Sequence, residues 1–513
     1  MKSIQADYIR GAPELAEFYA GSPRELFDKK PTAGPLYPGL CEALRAYGAS
    51  IGTTALPPDG DVSAIVTGQQ PVLFTGPLYT VYKAATAIRI AERLEQQRGA
   101  PCVPVFWLAS DDHDFAEART THMLTKQHEP LALTYVLKTN ADGFPMHRVP
   151  LEPSLHTLID TMADAATGSE YRDEVRAFLH ASLDAAVSFS DWSARLLARL
   201  FQGTPLLIFT TELPVMRAAS APIIEREIAD PLWSSTRVNE AAARLIALGY
   251  EAQLVKGQGD CGFFLEVEGK RCKVVYEQGA FVLPSLGWRY SADELLNTLA
   301  AEPERFSPNA ALRSVVQQRL FPVHAYVGGP GEIAYWGQFK PLFDNVSAPM
   351  PVVYPRAQVR LSSTKLNKLL TRCGLNADDF SAPLEQIEEK ALATAAAGPA
   401  LEALARCRAE IAQSVGILEQ TLSTVKAPPL AVGDRVFGEL DKARRTLERA
   451  DSAKVETVRQ NVMRLANTFA PWRKPQERVY TVFSFLFEHG WDLVPRIIRE
   501  IDIDSFTTGE IEL

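Results

Sequence analysis

Short apolar runs alternate with helical patterns through the first two thirds of the chain. Between the first two runs, residues 76–97 place apolar side chains at helical spacing, and glycine links this helix to the preceding run. Strand, helix and strand in this order form a βαβ unit, so the pattern predicts an α/β fold with a parallel sheet. A helical stretch near 150–200 is predicted to be an insertion between strands. The runs predicted to be buried strands are VSAIVT (62–67), PVFWLA (104–109), TPLLIFT (204–210), HAYVGG (324–329) and MPVVYPR (350–356).

The periodicity changes beyond about residue 376, where apolar residues recur in steps of three and four over 401–425 and 436–465. Two prolines and a glycine in KAPPLAVGD interrupt this pattern, which predicts two helices joined as an antiparallel coiled-coil hairpin. The hairpin could pack on the core or protrude as an arm; the charged residues between its apolar positions favour an arm that forms a homodimer. The predicted domains are a core (1–380), the hairpin (381–470) and an apolar segment that returns to the core (471–513).

Composition and charge narrow the class of protein. Of 513 residues, 46% are hydrophobic, and the net charge is -9, which argues against nucleic acid as a partner because phosphate backbones bind clustered positive charge. No apolar run approaches the ~18 residues of a membrane span, and the first residues lack the apolar core of a secretory signal. The six cysteines are scattered without a C-x-x-C pair, as in reducing compartments. We therefore expect a cytoplasmic protein that binds neither nucleic acid nor membranes.

The first stretch that suggests chemistry is VTGQQPVLFTGPLYTVYKA, residues 66–84. Glycine lets backbone N–H groups approach a ligand, and the N-terminus of a helix favours negative charge. Thr75 is a candidate N-cap or phosphate contact, and Lys83 lies two turns into the helix. The alternative is a tight loop that needs glycine only for its geometry. The candidate binding residues of this stretch are Gly68, Gln69, Gln70, Thr75, Gly76, Tyr79 and Lys83.

A second stretch, VPVFWLASDDHDFAEA (103–118), places one histidine among carboxylates at the end of a predicted strand. Ligands of open parallel sheets bind beyond such strand ends. Nearby carboxylates raise the pKa of a histidine, so His113 could act as a general acid, a general base or a hydrogen-bond donor. Asp111, Asp112 and Asp114 could hold a substrate ammonium group or Mg²⁺, although only alternate side chains share a face. The alternative is a helix N-terminus that carries acids for capping.

A third stretch, residues 306–343, ends a predicted strand in a second glycine-rich turn. Two such turns would form opposite lips of one crevice. Asn309, Arg313 and Gln317 follow one another at spacings of four, which places them on one helical face. The candidate residues of the turn are Gly328, Gly329, Gly331 and Glu332.

These motifs together resemble those of one family. VTGQQPVLFTGPLYTVYKA, PVFWLASDDHDFAE, FSPNAALR, YVGGPGEIAYWGQFK, MPVVYPR and PQERVY, in this order from about residue 60 to 480, are similar to motifs of the BshC family, the cysteine ligases of bacillithiol synthesis. The resemblance implies a Rossmann-like core with inserted connecting segments and a C-terminal coiled coil that forms a dimer. It also implies the addition of cysteine to glucosaminyl malate.

Amide formation from a carboxylate near neutral pH needs activation of that carboxylate, so ATP or another nucleotide, with Mg²⁺, is expected to take part. On this interpretation Thr75 and Gly76 face phosphate or carboxylate, and His113 is the general base or a phosphate hydrogen-bond donor. The acids beside His113 hold the cysteine ammonium group or Mg²⁺. Candidate counter-charges for the malate carboxylates are Arg313, Lys340 and Arg356.

Two other hypotheses belong to different functional classes. One is a metal-dependent hydrolase centred on Asp111, His113 and Asp114. The other is a non-catalytic scaffold protein built on the helical arm. Bound metal would favour the first, and binding of cysteine or nucleotide would argue against the second.

Overall fold

The computed structural model describes residues 2–395, 398–425 and 432–513. The chain divides into two compact units. The first comprises Met1–Lys126, Leu131–Leu361 and Glu477–Ile511, and the second comprises Gln127–Pro130, Ser362–Gln476 and Glu512–Leu513. The domain boundary predicted near residue 380 therefore falls inside the second unit, and most of the segment 471–513 belongs to the first.

The strands and helices alternate along most of the first unit, and helices dominate the second. The strands are β1 Ser63–Gln69, β2 Cys102–Leu108, β3 Thr120–Leu124, β4 Pro130–Thr134, β5 Leu207–Thr210, β6 Asp260–Val267, β7 Lys270–Glu277, β8 Ala280–Leu283, β9 Trp288–Tyr290, β10 Phe306–Pro308, β11 Val323–Gly328, β12 Val352–Pro355, β13 Gln358–Ser362 and β14 Thr508–Glu512. The helices are α1 Ile4–Arg10, α2 Leu40–Ile51, α3 Tyr79–Arg98, α4 Phe115–Ala118, α5 Ser154–Ala165, α6 Arg172–Asp184, α7 Phe189–Leu200, α8 Pro214–Ala229, α9 Trp233–Ala247, α10 Ala292–Ala301, α11 Ala310–Leu320, α12 Pro330–Trp336, α13 Lys340–Asn345, α14 Thr364–Arg372, α15 Leu384–Ala395, α16 Gly398–Thr424, α17 Val432–Phe469, α18 Phe483–His489 and α19 Leu493–Glu500.

The five predicted strands form one parallel sheet in the order β12-β11-β1-β2-β5. From β1 at the centre the chain proceeds outward through β2 and β5, and later returns to the other side of β1 as β11 and β12. This order confirms the Rossmann-like α/β prediction and creates a topological switch point between β1 and β11, where such sheets bind ligands. Helices α5, α6 and α7 cover most of residues 150–200, between β2 and β5.

The strands of this sheet are recognisable in the sequence because they are buried on both faces. All seven residues of β2 are buried, as are all six of β11. Central parallel strands therefore read as continuous apolar runs. Their side chains pack tightly, as the ring centroids of Trp107 and Phe209, 4.3 Å apart, illustrate.

A second sheet of the first unit is antiparallel, in the order β10-β6-β7-β8-β9, and the sequence analysis did not predict it. One face packs Phe263 and Leu265 against Ile224 of α8 and Leu295 of α10. Strands with one covered face alternate apolar and polar residues, which gives a weaker signal than a continuous run. This sheet contributes to the candidate site because β7 carries Arg271.

The second unit contains the predicted helical hairpin. Helices α14, α15 and α17 share an apolar cluster that includes Leu366, Ile387 and Leu465. Arg408 of α16 pairs with Asp441 of α17, so the two long helices contact each other. The predicted turn of the hairpin, at 426–431, lies outside the described residues. Among helices of the described residues, none is both long and apolar enough to cross a membrane.

Candidate active site

A cavity of about 360 Å³ lies at the carboxyl end of the parallel sheet, at the switch point between β1 and β11. Each central strand contributes to its wall at or just beyond its last residue. The structure thus brings most of the predicted binding residues together. Those that line the cavity are Gly68, Gln69, Gln70, Tyr79, Lys83, Asp112, Arg313, Gly329, Gly331, Glu332 and Arg356.

A buried ion pair between Lys83 and Glu332 crosses the wall of this cavity. Lys83 Nζ lies 2.5 Å from Glu332 Oε2 and donates a hydrogen bond of 2.9 Å to the Gly68 carbonyl. Glu332 also accepts the Gly329 N–H at 2.8 Å and the Tyr326 hydroxyl at 2.7 Å. Burial lowers the pKa of Lys83, and it opposes ionisation of Glu332 too, but the Lys83 charge and these hydrogen bonds hold the pKa of Glu332 below its ordinary value. The pair therefore connects the end of β1 to the turn after β11.

Three arginines give the cavity positive charge. Arg356 follows β12 and forms two hydrogen bonds, of 2.8 and 2.6 Å, with the carboxylate of Glu477, and both side chains are buried. Arg313 and Arg478 also line the cavity, and among the described residues neither forms an ion pair. These two guanidinium groups thus lack a direct ion-pair partner in the described part of the chain, although the charges of Asp111 and Asp112 act on Arg313.

The loop after β2 distributes its charged residues among different partners. Asp114 is the N-cap of α4 and accepts the Glu117 N–H at 3.0 Å, as the capping alternative expects. Asp112 lines the cavity, and its Oδ1 accepts the N–H of His113 at 2.7 Å. Asp111 is buried and accepts the Thr211 hydroxyl at 3.0 Å. Of the four residues predicted to be catalytic, only Asp112 is placed by the described structure on the cavity wall.

The prediction that the neighbouring carboxylates raise the pKa of His113 is wrong, because that pKa is lowered. Burial lowers the pKa of His113, and the Arg271 guanidinium lowers it further, against the opposing effect of Asp111, Asp112 and Asp114. Arg271 Nη1 lies 3.3 Å from His113 Nδ1, and its Nη2 lies 3.8 Å from Asp111 Oδ2. Asp111 and His113 thus face one partner, which agrees with the expected alternation of side chains. The sequence analysis overlooked Arg271 because it lies in an unpredicted sheet.

The loop with Thr75 and Gly76 is placed differently from its prediction. Helix α3 begins at Tyr79 with Leu78 as its N-cap, so Thr75 is not the cap. Neither Thr75 nor Gly76 is among the described residues that line the cavity. Instead, the loop packs on the C-terminal segment of the same unit: the Thr481 hydroxyl donates to the Phe74 carbonyl at 2.9 Å.

Three other predicted residues also differ in position. Gly68 lies inside β1 rather than in a loop, and glycine is required there because a Cβ atom would approach the Trp107 carbonyl to 2.6 Å. Gly328 ends β11, and Lys340 pairs with Asp344 at 2.8 Å; neither belongs to the described cavity lining. Lys340 is therefore not placed to neutralise a ligand in this cavity.

The cavity lining also includes residues that were not predicted to bind a ligand. Arg313 and Gln317 of α11 both face the cavity, so the predicted polar face is real, whereas Asn309 is the N-cap of that helix. Arg478 lies within PQERVY, a motif that had been noted without a role. The aromatic residues carried no signal because they read as core. The unpredicted lining residues are Trp107, Ala109, Glu117, Gln317, Tyr326, Pro330, Tyr335 and Arg478.

The residues proposed for a metal-dependent hydrolase do not share a space for a metal ion. Asp111 and His113 both face the Arg271 guanidinium, and Asp114 caps α4. Throughout the part of the chain that the structure describes, no group of three or more His, Cys, Asp and Glu residues is placed to hold a metal ion.

Comparison with known proteins places this geometry in a family. A family model described as "Bacillithiol biosynthesis BshC, N-terminal Rossmann-like domain" matches residues 2–357, and one described as "Bacillithiol biosynthesis BshC, C-terminal coiled-coil domain" matches 359–508. The chain belongs to the BshC family. The boundary between the two BshC domains, at 357–359, lies close to the boundary at 361–362 between the compact units.

Relatives across the BshC family support the same assignment. A protein of Salinibacter ruber named "Putative cysteine ligase BshC" is 31% identical over 87% of this chain and 82% of its own length. A protein of Geobacillus thermodenitrificans with the same name is 30% identical over 96% of this chain and 95% of its own length. These relatives carry the name of a ligase, so the enzymatic class predicted from the motifs is confirmed.

Proposed function

We propose that the switch-point cavity joins cysteine to glucosaminyl malate, with nucleotide-dependent activation of the cysteine carboxylate, and so forms bacillithiol. The observation that carries this proposal is a pair of guanidinium groups, Arg313 and Arg478, that form no direct ion pair among the described residues and line a cavity that also presents the carboxylates of Asp112 and Glu117. Such a wall suits ligands that carry both negative and positive groups. Cysteine, malate and a nucleotide together have this character.

The arginines and acids divide the binding between them. Arg313 and Arg478 are the counter-charges for phosphate and carboxylate groups, since guanidinium binds both through paired hydrogen bonds. Asp112 and Glu117 hold the cysteine ammonium group or Mg²⁺, which binds through one or two carboxylates together with substrate phosphates. Trp107 adds a buried indole N–H that lacks a protein acceptor among the described residues. A ligand oxygen would satisfy that donor.

Chemistry in this cavity would depend on positioning and charge. An oxygen of the cysteine carboxylate attacks the α-phosphorus of a nucleoside triphosphate and expels pyrophosphate, which gives an adenylate, or attacks the γ-phosphorus and expels nucleoside diphosphate, which gives an acyl phosphate. The amine of glucosaminyl malate then attacks the activated carbon, loses a proton, and expels nucleoside monophosphate or phosphate as the amide bond forms. Fixed cations stabilise the charge that develops on the phosphate and carbonyl oxygens. We place the reaction in the cytoplasm, where reduced thiols such as the six cysteines of this chain persist.

The experiment that tests this proposal combines the purified protein with cysteine, glucosaminyl malate, Mg²⁺ and one nucleoside triphosphate at a time. Mass spectrometry then measures bacillithiol and the nucleotide product. We expect bacillithiol with at least one nucleotide, together with nucleoside monophosphate for an adenylate or diphosphate for an acyl phosphate. Bacillithiol without nucleotide would refute the activation step, and no bacillithiol with any nucleotide would refute the proposed function.

The hairpin is proposed to hold a homodimer together. Ile417, Leu418 and Val425 of this segment are 60%, 44% and 67% exposed, which is costly for apolar side chains without a partner. The variant Ile417→Glu/Leu418→Glu should be monomeric by light scattering, while Glu419→Gln on the same helix should remain a dimer. A dimer in both variants would show that this face is not the interface.

A further inference from the structure

The side chain of Arg271 reaches from β7 of the antiparallel sheet to the loop after β2. Its Nη1 lies 3.3 Å from His113 Nδ1, and its Nη2 lies 3.8 Å from Asp111 Oδ2. We propose that Arg271 is a positioning residue, which fixes the His113 imidazole as a neutral ring with its proton on Nε2. The inference deepens the proposed function, because it states which chemistry His113 is able to perform there.

The guanidinium of Arg271 is held from several directions. Nε donates to the Ser307 hydroxyl at 2.8 Å, and Nη2 donates to the Pro308 carbonyl at 3.0 Å. The group also lies 3.8 Å from the centroid of the Phe264 ring, and the side chain is only 9% exposed. These contacts fix the orientation of the guanidinium plane, in which one N–H of Nη1 faces His113 Nδ1. Arg271 therefore acts as a rigid donor.

The chemistry of the two groups decides where the proton lies. Guanidinium has five N–H donors and accepts no hydrogen bond, so an imidazole nitrogen that faces it must be unprotonated. His113 Nδ1 is that nitrogen, and the ring proton consequently occupies Nε2. A protonated ring would place two N–H groups and two positive charges against each other. The Phe264 ring, at a centroid distance of 5.5 Å and an angle of 61°, limits rotation of the imidazole away from this arrangement.

Charges of both signs surround the ring. Asp111, Asp112 and Asp114 favour a cation, whereas burial and the Arg271 guanidinium oppose it. Asp111 is drawn away from the ring because the Thr211 hydroxyl donates to its Oδ1 at 3.0 Å while its Oδ2 faces Arg271. The acids that accompany the histidine in sequence thus do not control its protonation.

This arrangement changes the role that His113 can take in the proposed reaction. His113 follows Asp112 but lies outside the described lining of the cavity, and its neutral ring can offer a hydrogen bond only through Nε2–H. It cannot accept the proton of the attacking amine at Nε2, and Nδ1 is occupied by Arg271. His113 can therefore act as a hydrogen-bond donor but not as the general base, which must be sought elsewhere.

Nuclear magnetic resonance of the full-length protein with ¹⁵N-labelled histidine tests the inference without any substrate. The His113 signals are assigned by their loss in His113→Asn. We expect nitrogen shifts typical of the neutral Nε2–H form at pH 7. An Nδ1–H form, or a protonated ring at pH 7, would overturn the inference whatever the activity of the protein.

Variants of Arg271 extend the test. In Arg271→Gln the fixed guanidinium donor is lost, so the nitrogen shifts of His113 should move from those of the Nε2–H form toward those of a mixture of both tautomers. Arg289→Gln, in β9 of the same sheet, should leave the shifts unchanged and serves as the matched control. Unchanged shifts in a folded Arg271→Gln protein would contradict the inference. Since Arg271→Gln could unfold, the wild-type signals above provide the primary result.

An activity measurement separates this inference from the proposed function. If the wild-type protein forms bacillithiol, Arg271→Lys should reduce kcat more than KM and shift the acid limb of the pH profile. If the wild-type protein forms none, the proposed function fails, while the nitrogen shifts still decide the proton position. A wild-type pH profile in folded Arg271→Lys would refute the positioning role.

Discussion

Two glycine-containing turns follow adjacent strands of the parallel sheet, and they have different structural roles. The turn after β11, residues 329–332, lines the cavity and joins the Lys83 ion pair through Glu332. The turn after β1 lines the cavity only as far as Gln70, and its remainder is buried against the C-terminal segment, where the Leu78 N–H donates to the Tyr480 carbonyl at 2.8 Å. Similar local sequences thus form one binding wall and one structural support.

The glycines of the two turns serve different purposes. Gly76 has φ of 71° and ψ of -157°, a conformation essentially restricted to glycine, and a Cβ atom there would lie 3.1 Å from Val72. Gly331 has no such constraint, and a Cβ atom there would meet nothing within 4 Å. In the turn after β1 glycine is needed because of the backbone conformation, whereas in the turn after β11 it leaves space in the cavity. A glycine motif in the sequence identifies a turn without showing which of these purposes applies.

The largest effect should come from breaking the ion pair that anchors the turn after β11. Lys83→Met leaves Glu332 buried without its cation, so the free energy of unfolding should fall by about 3–5 kcal/mol. Chemical denaturation of wild type and variant measures the difference. Arg45→Met, which removes a pair with Asp59 in which both side chains are exposed, is the control and should change stability by less than about 1 kcal/mol. Equal losses of unfolding free energy in both variants would mean that the Lys83–Glu332 pair contributes no more to stability than an exposed ion pair.

Acidification should reduce the difference in stability between wild type and Lys83→Met. The pKa of Glu332 in the folded protein lies below its unfolded value, so its ionised form stabilises the fold above the unfolded pKa, and this contribution is lost as pH falls through the folded pKa. In Lys83→Met the pKa of Glu332 should rise, since the largest stabilising charge is gone. The gap in melting temperature between the two proteins should therefore narrow from pH 7 to pH 4. A gap that widens on acidification would contradict the assignment of Glu332 as ionised.

A matched pair of glycine variants sharpens the comparison of the turns. Gly76→Ala should lower the free energy of unfolding by about 1–3 kcal/mol, because alanine is strained at that backbone conformation. Gly331→Ala should leave stability unchanged or raise it by about 0.5 kcal/mol, since it rigidifies the unfolded chain, but it should weaken ligand binding by filling the cavity. Thermal unfolding and calorimetric titration with ATP measure the two properties. Weaker ATP binding in Gly76→Ala together with a loss of stability in Gly331→Ala would mean that the turn after β1 binds the ligand and the turn after β11 is structural.

The smallest effect is expected for Thr75→Val. The Thr75 hydroxyl is buried without a hydrogen-bond partner among the described residues, so its removal should change stability by less than about 1 kcal/mol, in the stabilising direction. Affinity for ATP should not change, because Thr75 is outside the described cavity lining. A tenfold loss of affinity would restore the sequence-based prediction that Thr75 contacts phosphate.

The sequence predicted the parallel sheet well and its binding site unevenly, for physical reasons. Doubly buried strands such as β2 leave a continuous apolar signature, and the position of the cavity follows from their order. The antiparallel sheet has a weaker signature, so Arg271 was missed. The environment of His113 could not be predicted either, because the effect on its pKa of the nearest residues in sequence, Asp112 and Asp114, is outweighed by burial together with an arginine 158 positions away. Proximity in sequence is a poor guide to the charge that a side chain experiences.

The central claim is that the switch-point cavity performs the ligation, and one comparison of variants tests it most directly. Arg313 and Arg319 lie on the same helix, but only Arg313 is among the described residues that line the cavity. Bacillithiol is measured by mass spectrometry after incubation of wild type, Arg313→Gln and Arg319→Gln with cysteine, glucosaminyl malate and the nucleotide that supports the wild-type reaction. We predict at least a tenfold lower kcat/KM for Arg313→Gln, equivalent to about 1.4 kcal/mol, and wild-type activity for Arg319→Gln. Equal activity in all three proteins would contradict the claim that the reaction occurs in this cavity.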